Sequence, residues 1–204
     1  MFGYNSVSEF VITGIVIIIS LSFHEYAHAI TSVAMGDDTP KRYGRLSLNP
    51  AAHIDIIGLI CLFLFKFGWA KPVPINPYNY RNQKKGIILT SIAGPAANII
   101  LAFLTALIWQ ILKPQSEAVQ YFMSMMLVIN AGLAVFNLIP IPPLDGSKIF
   151  AELFGGAVAE FIYKIDRIGT LIIFALLWLD PVNQFLSSMI RMVITGILTI
   201  VSFL

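Results

Sequence analysis

Six apolar blocks dominate this chain: about 7–35, 54–67, 86–112, 118–139, 168–179 (extendable back to 162) and 185–204. Blocks of this length restrict the fold sharply. About 20 apolar residues cross the hydrocarbon core of a bilayer as a helix, and a backbone placed there has to pair all its own polar groups. Composition agrees, with 57% apolar and 12% charged residues, a mean hydropathy of +0.81, and soluble domains nearer a quarter charged. The expected class is an all-α polytopic membrane protein. A net charge of +2, without a basic run, excludes nucleic acid as a partner. The lone Cys61 forms no internal disulfide, and no Lys or Arg precedes the first block, which predicts no cleaved signal peptide.

The distribution of charge suggests a topology. Lys41, Arg42 and Arg45 precede the second block; Lys71, Arg81, Lys84 and Lys85 follow it. Basic loops collect on the cytoplasmic side, so both flanks of a block only about 14 residues long lie on one side. Residues 54–67 are therefore expected to dip in and return as a re-entrant segment, with the N-terminus outside and the C-terminus inside. Six full spans would place one basic loop outside. The expectation is five to six transmembrane helices, a re-entrant segment and a small membrane-associated β-sheet. That sheet would use YGRLSLN (43–49), which alternates like a strand, and KPVPINP (71–77), whose prolines suit an edge strand. Residues 1–204 read as a single domain, with a motif-bearing core at about 8–150 and additional C-terminal helices at about 151–204.

Inside the first block, LSFHEYAHAI (21–30) places three ionisable groups in five residues. Charges within hydrocarbon are costly and normally have a function. His24 and His28 are four residues apart, so both imidazoles share a helix face and can grip one zinc ion. Glu25, offset by one residue, suits a general base acting on water. Core histidines with a structural glutamate are the plainer alternative. A catalytic zinc needs a third protein ligand, and the candidates are His53, Asp55 and Asp145, then Glu9, Asp166 and Asp180. Asp145 stands out in NLIPIPPLDG, where three prolines break the fourth block. Alone, an Asp before Gly reads as a turn or helix N-cap; beside an unfilled zinc site it reads as the ligand. The predicted topology puts it on the same side as the HExxH end of the first block. Ala93-Gly94-Pro95-Ala96-Ala97-Asn98 reads as a close-packing surface, with Asn98 able to bond across helices.

FHEYAHA (23–29), GRLSLNPAAHIDIIG (44–58), GWAKPVPINPYNYRN (68–82), SIAGPAANIILA (91–102) and NLIPIPPLDG (137–146) together resemble the site-2 protease family of intramembrane zinc metalloproteases. The chain looks like a short prokaryotic member without a PDZ or CBS domain. The resemblance covers about residues 20–150 and implies one Zn2+ per chain on His24, His28 and Asp145, with Glu25 as general base. It further implies that Asn137 faces the substrate carbonyl or oxyanion, a helix–helix hydrogen bond being the alternative. His53, in the Asn-Pro-x-x-His stretch, would be a residue behind the ligands or on the substrate side, unless it is a satisfied loop histidine. The implied activity is hydrolysis of peptide bonds in transmembrane protein or peptide substrates, as in regulated intramembrane proteolysis, in a prokaryotic cell membrane with the active site towards the cytoplasm. A membrane zinc transporter would need further metal-binding groups along a path, which most blocks lack. An inactive protein that binds membrane clients would have no need of the glutamate.

Overall fold

The computed structural model describes residues 6–55, 57–58, 61 and 70–204. In chain order the helices are α1 (Val7–Met35), α2 (Thr39–Arg42), α3 (Gln83–Leu112), α4 (Glu117–Asn137), α5 (Asp145–Phe154), α6 (Gly156–Leu177) and α7 (Asp180–Ser202). Local chemistry sets their ends. Ser6 caps α1 by accepting from Glu9 N, and Asn82 caps α3 by accepting from Lys85 N. Lys113-Pro114 ends α3, and the proline run after Leu138 ends α4.

Helices α1, α3 and α4 pack on one another, and α7 lies against α3 and α4. Val16 of α1 meets Met126 and Ile129 of α4; Ala102, Ala106 and Leu127 meet Ile197 and Val201 of α7. The interior is otherwise polar and small. Thr13, Ser20, Asn98 and Asn130 are fully buried, while Val11, Ile15, Ile100, Leu104 and Ile108 face outward. Apolar surfaces on the outside and small or hydrogen-bonding groups between helices are what a lipid environment selects.

Three expectations need correction or restriction. The described helices long and apolar enough to cross a membrane number four, α1, α3, α4 and α7, not five or six. The fifth block does form a helix, but α6 reaches that length only by including Glu160, Lys164, Asp166 and Arg167. The small β-sheet is also absent among the described residues, which contain one isolated antiparallel bridge, Ile54 with Ala70. Local side-chain bonds compete for the first strand: Asn49 N donates to Ser47 Oγ and Ala51 N to Asn49 Oδ1, starting a 3-10 turn at Pro50–Ala52. The second segment runs extended but gives its N–H groups elsewhere, as described below. The re-entrant segment expected at 54–67 falls mostly outside the described residues, and those that are described give it no support.

Candidate metal centre

Helix α1 carries His24 and His28 on one face, about 10–16 Å before its end at the 1.5 Å rise of a helix. Their rings meet edge to face, with centroids 4.6 Å apart. Asp145 arrives from the first turn of α5, directly after the proline run that ends α4. The Nε2 atoms of the two histidines are 3.0 Å apart. Asp145 Oδ2 is 3.3 Å from His24 Nε2 and 3.2 Å from His28 Nε2. All three side chains are buried. Among the described residues this is the one group of three or more His, Cys, Asp or Glu side chains placed to share a metal. His53, Asp55, Glu9, Asp166 and Asp180 do not join it.

The hydrogen bonds behind the ring atoms decide whether a cation fits. His24 Nδ1 lies 2.6 Å from Asn98 Oδ1 and His28 Nδ1 lies 2.7 Å from Thr90 O. Both partners are acceptors only, so each neutral imidazole carries its proton on Nδ1 and turns an Nε2 lone pair inward. Two lone pairs and a carboxylate oxygen then crowd together with no proton between them. A divalent cation complements that donor set, and two imidazoles with one carboxylate suit zinc.

Gly94 makes this approach possible. A Cβ there would overlap the imidazoles of His24 and His28, so α3 can lie against the two histidines only because that position has no side chain. The site opens into a cavity of about 350 Å³ lined by His24, Glu25, His28, Asn137, Asp145 and Lys148, among others. Glu25 is buried, and its Oε2 accepts from Val73 N at 2.9 Å. Asn137 lines the cavity while its Nδ2 donates to Leu133 O one turn back. Lys148 Nζ stands 3.8 Å from Asp145 Oδ1.

His53 is placed elsewhere. It is 1% exposed, its Nε2 donates to Ser47 O at 2.6 Å, and its Nδ1 has no protein partner. Its carbonyl accepts from Lys71 N, so the residue supports the start of the 71–77 segment and does not line the cavity. The far end of that segment is tied to Asp37, which accepts from Asn76 N, Asn79 Nδ2, Thr39 N and Ser32 Oγ. Burial raises the Asp37 carboxyl, and the bonds from Thr39, Asn76 and Asn79 outweigh it, bringing its pKa down to about 2. Asp37 is thus a charged knot at neutral pH. Sequence reasoning missed it, together with Thr90 and Asn130. Only Asn130 left a trace there, as an amide inside an apolar block.

The model of peptidase family M50 matches residues 110–179, a stretch containing Asn137 and Asp145. The protein named "Putative zinc metalloprotease YwhC" of Bacillus subtilis (strain 168) is 36% identical over 179 residues, covering 84% of this chain and 81% of that protein. Two others bear the same description. Rip2 of Mycolicibacterium smegmatis is 27% identical over 180 residues, 85% of this chain and 69% of its own. MJ0611 of Methanocaldococcus jannaschii is 32% identical over 151 residues, 71% of each chain. No solved structure matches significantly.

Proposed function

The chain belongs to peptidase family M50 and is a zinc metalloprotease with membrane-spanning helices, and from that premise we propose that it cuts membrane-embedded proteins as the proteolytic step of regulated intramembrane proteolysis. The observation that supports this most is the meeting of His24, His28 and Asp145 beside Glu25 in one cavity, well short of the end of a membrane-length helix. In this reading His24, His28 and Asp145 hold one zinc per chain. When bound, zinc supplies Lewis acidity toward the scissile carbonyl and toward water. Glu25 takes the proton of the attacking water and returns it to the leaving amine. The Val73 N–H fixes one oxygen of that carboxylate and so sets its orientation. Asn137 swings its amide from Leu133 O toward the oxygen on which charge develops.

A transmembrane helix hides its scissile carbonyl in its own hydrogen bonds, so the substrate must unwind locally. Residues 71–77 offer it a template. The N–H groups of Val73 and Ile75 leave one edge, the edge that Val73 turns toward Glu25, while Pro72 and Pro74 have none to offer on the other. An unwound substrate strand adds along this edge through the Ile75 N–H, the Val73 N–H being held by Glu25. The basic residues Lys41, Arg42, Lys71, Arg81, Lys84 and Lys85 are all exposed in the segments that follow α1 and lead into α3, which supports a cytoplasmic position for this end of a single membrane domain.

Glu25→Gln tests the reading. Purified with zinc and a helical membrane substrate, it should retain wild-type zinc while cleavage falls by about 10²–10⁴-fold. Undiminished cleavage by this variant would refute Glu25 as the base.

A further inference from the structure

The two imidazoles are oriented in different ways. His28 Nδ1 meets a main-chain carbonyl, Thr90 O, which can only accept. His24 Nδ1 meets a side chain, Asn98 Oδ1, and a primary amide can present either its oxygen or its NH2. Something must decide which end of Asn98 faces the histidine.

The decision is made two residues further back. Asn98 Nδ2 donates to Ser20 O at 3.3 Å and to Asn130 Oδ1 at 2.8 Å. Asn130 in turn donates from Nδ2 to Ser20 Oγ at 2.9 Å and to Met126 O at 2.8 Å. Ser20 O and Met126 O are carbonyls and cannot donate, so each pins the NH2 end of one amide. With both NH2 groups committed, Asn130 has only Oδ1 for Asn98, and Asn98 has only Oδ1 for His24. Ser20, Asn98 and Asn130 are fully buried, so no bulk water competes. The chain of bonds also joins the three packed helices: Ser20 and His24 lie on α1, Asn98 on α3 and Asn130 on α4.

We propose that Asn98 and Asn130 are positioning residues of the metal centre, a relay that reads two main-chain carbonyls and fixes His24 as the Nδ1–H tautomer with Nε2 turned toward Asp145. Asn130 thereby influences a ligand it does not touch. Partners behind a ligating histidine typically change metal affinity by about 10–100-fold when removed. The inference rests on His24 being a zinc ligand, and His24→Ala examines that reading separately: if zinc binding survives His24→Ala, the ligand assignment has failed and not the relay.

The experiment titrates zinc against a competing chelator in detergent-purified wild type, Asn98→Leu, Asn98→Asp and Asn130→Leu, and records the visible spectrum of each with Co2+. Thermal unfolding of the metal-free proteins is measured in parallel. Asn98→Leu keeps the shape without an acceptor and should lose about 10–100-fold in zinc affinity and alter the Co2+ spectrum. Asn98→Asp keeps an acceptor for Nδ1–H but loses the NH2 that Ser20 O and Asn130 Oδ1 receive, so it should bind zinc more tightly than Asn98→Leu while its metal-free form unfolds more easily than wild type. Asn130→Leu should lose about 3–10-fold, a fraction of the direct effect. Both leucine variants binding zinc as wild type does, with only metal-free stability reduced, would overturn the proposal and leave the amides as contacts between helices. If Asn98→Leu does not fold, Asn130→Leu decides by the same criterion.

Discussion

At the scale of the residue, a pair of histidines one turn apart becomes a metal site only if a neighbouring helix leaves room for it. Gly94 supplies that room, because any Cβ would enter the space of both imidazoles. Gly94→Ala should therefore lower zinc affinity by more than about tenfold, since overpacking forces the rings or the helix to shift. A chelator titration checks this, with circular dichroism to establish that the helices persist; unchanged affinity would mean that α3 can retreat without harm. The sequence made His24, Glu25 and His28 legible because spacing on a helix is a local property. Asp145 was legible only jointly, as a carboxylate at a proline-broken helix end beside an incomplete ligand set. Asn98 could be read as a contact between helices, but its partner His24 could not. Asn130 stood out only as an amide in an apolar block, and its role was not legible because it depends on which atoms of three helices meet.

At the scale of the element, residues 71–77 illustrate what alternation and proline content can and cannot say. Their extended backbone was legible, but the pairing was not. The N–H groups that a sheet would have used go to His53 O, to Glu25 and to Asp37. The segment is thus stretched between a loop and a charged knot, with its middle laid over the Glu25 carboxylate. Its expected partner at 44–49 is consumed by the turn chemistry of Ser47 and Asn49. If the open edge receives substrate, replacing Ile75 by proline removes its N–H while Val73 still holds Glu25. Cleavage of a helical membrane substrate should then fall by at least about tenfold, with zinc content unchanged. Turnover at the wild-type rate would exclude strand addition along this edge.

At the scale of the whole molecule, the membrane character followed from the apolar blocks, while the number of spans did not. A block counts as a span only when a bilayer-length stretch of it carries few charges, and every such stretch of α6 includes Glu160, Lys164, Asp166 and Arg167. Its place in the fold is tied to the site instead. Gly169 sits so close to Pro142 that a Cβ would overlap the carbonyl there, which sets α6 against the loop leading to Asp145. Orientation can be tested with the single cysteine moved. In a Cys61→Ser background, Lys41→Cys should react with an impermeant thiol reagent only in inside-out vesicles, and Gln115→Cys only in right-side-out ones. The reverse pattern would place the site on the other face.

The central claim, that His24, His28 and Asp145 together hold one zinc beside Glu25, is tested most directly by counting zinc per chain. Wild type and Glu25→Gln should each carry close to one equivalent after purification, and Asp145→Ala should carry almost none under the same conditions. An Asp145→Ala protein that keeps a full equivalent would contradict the claim.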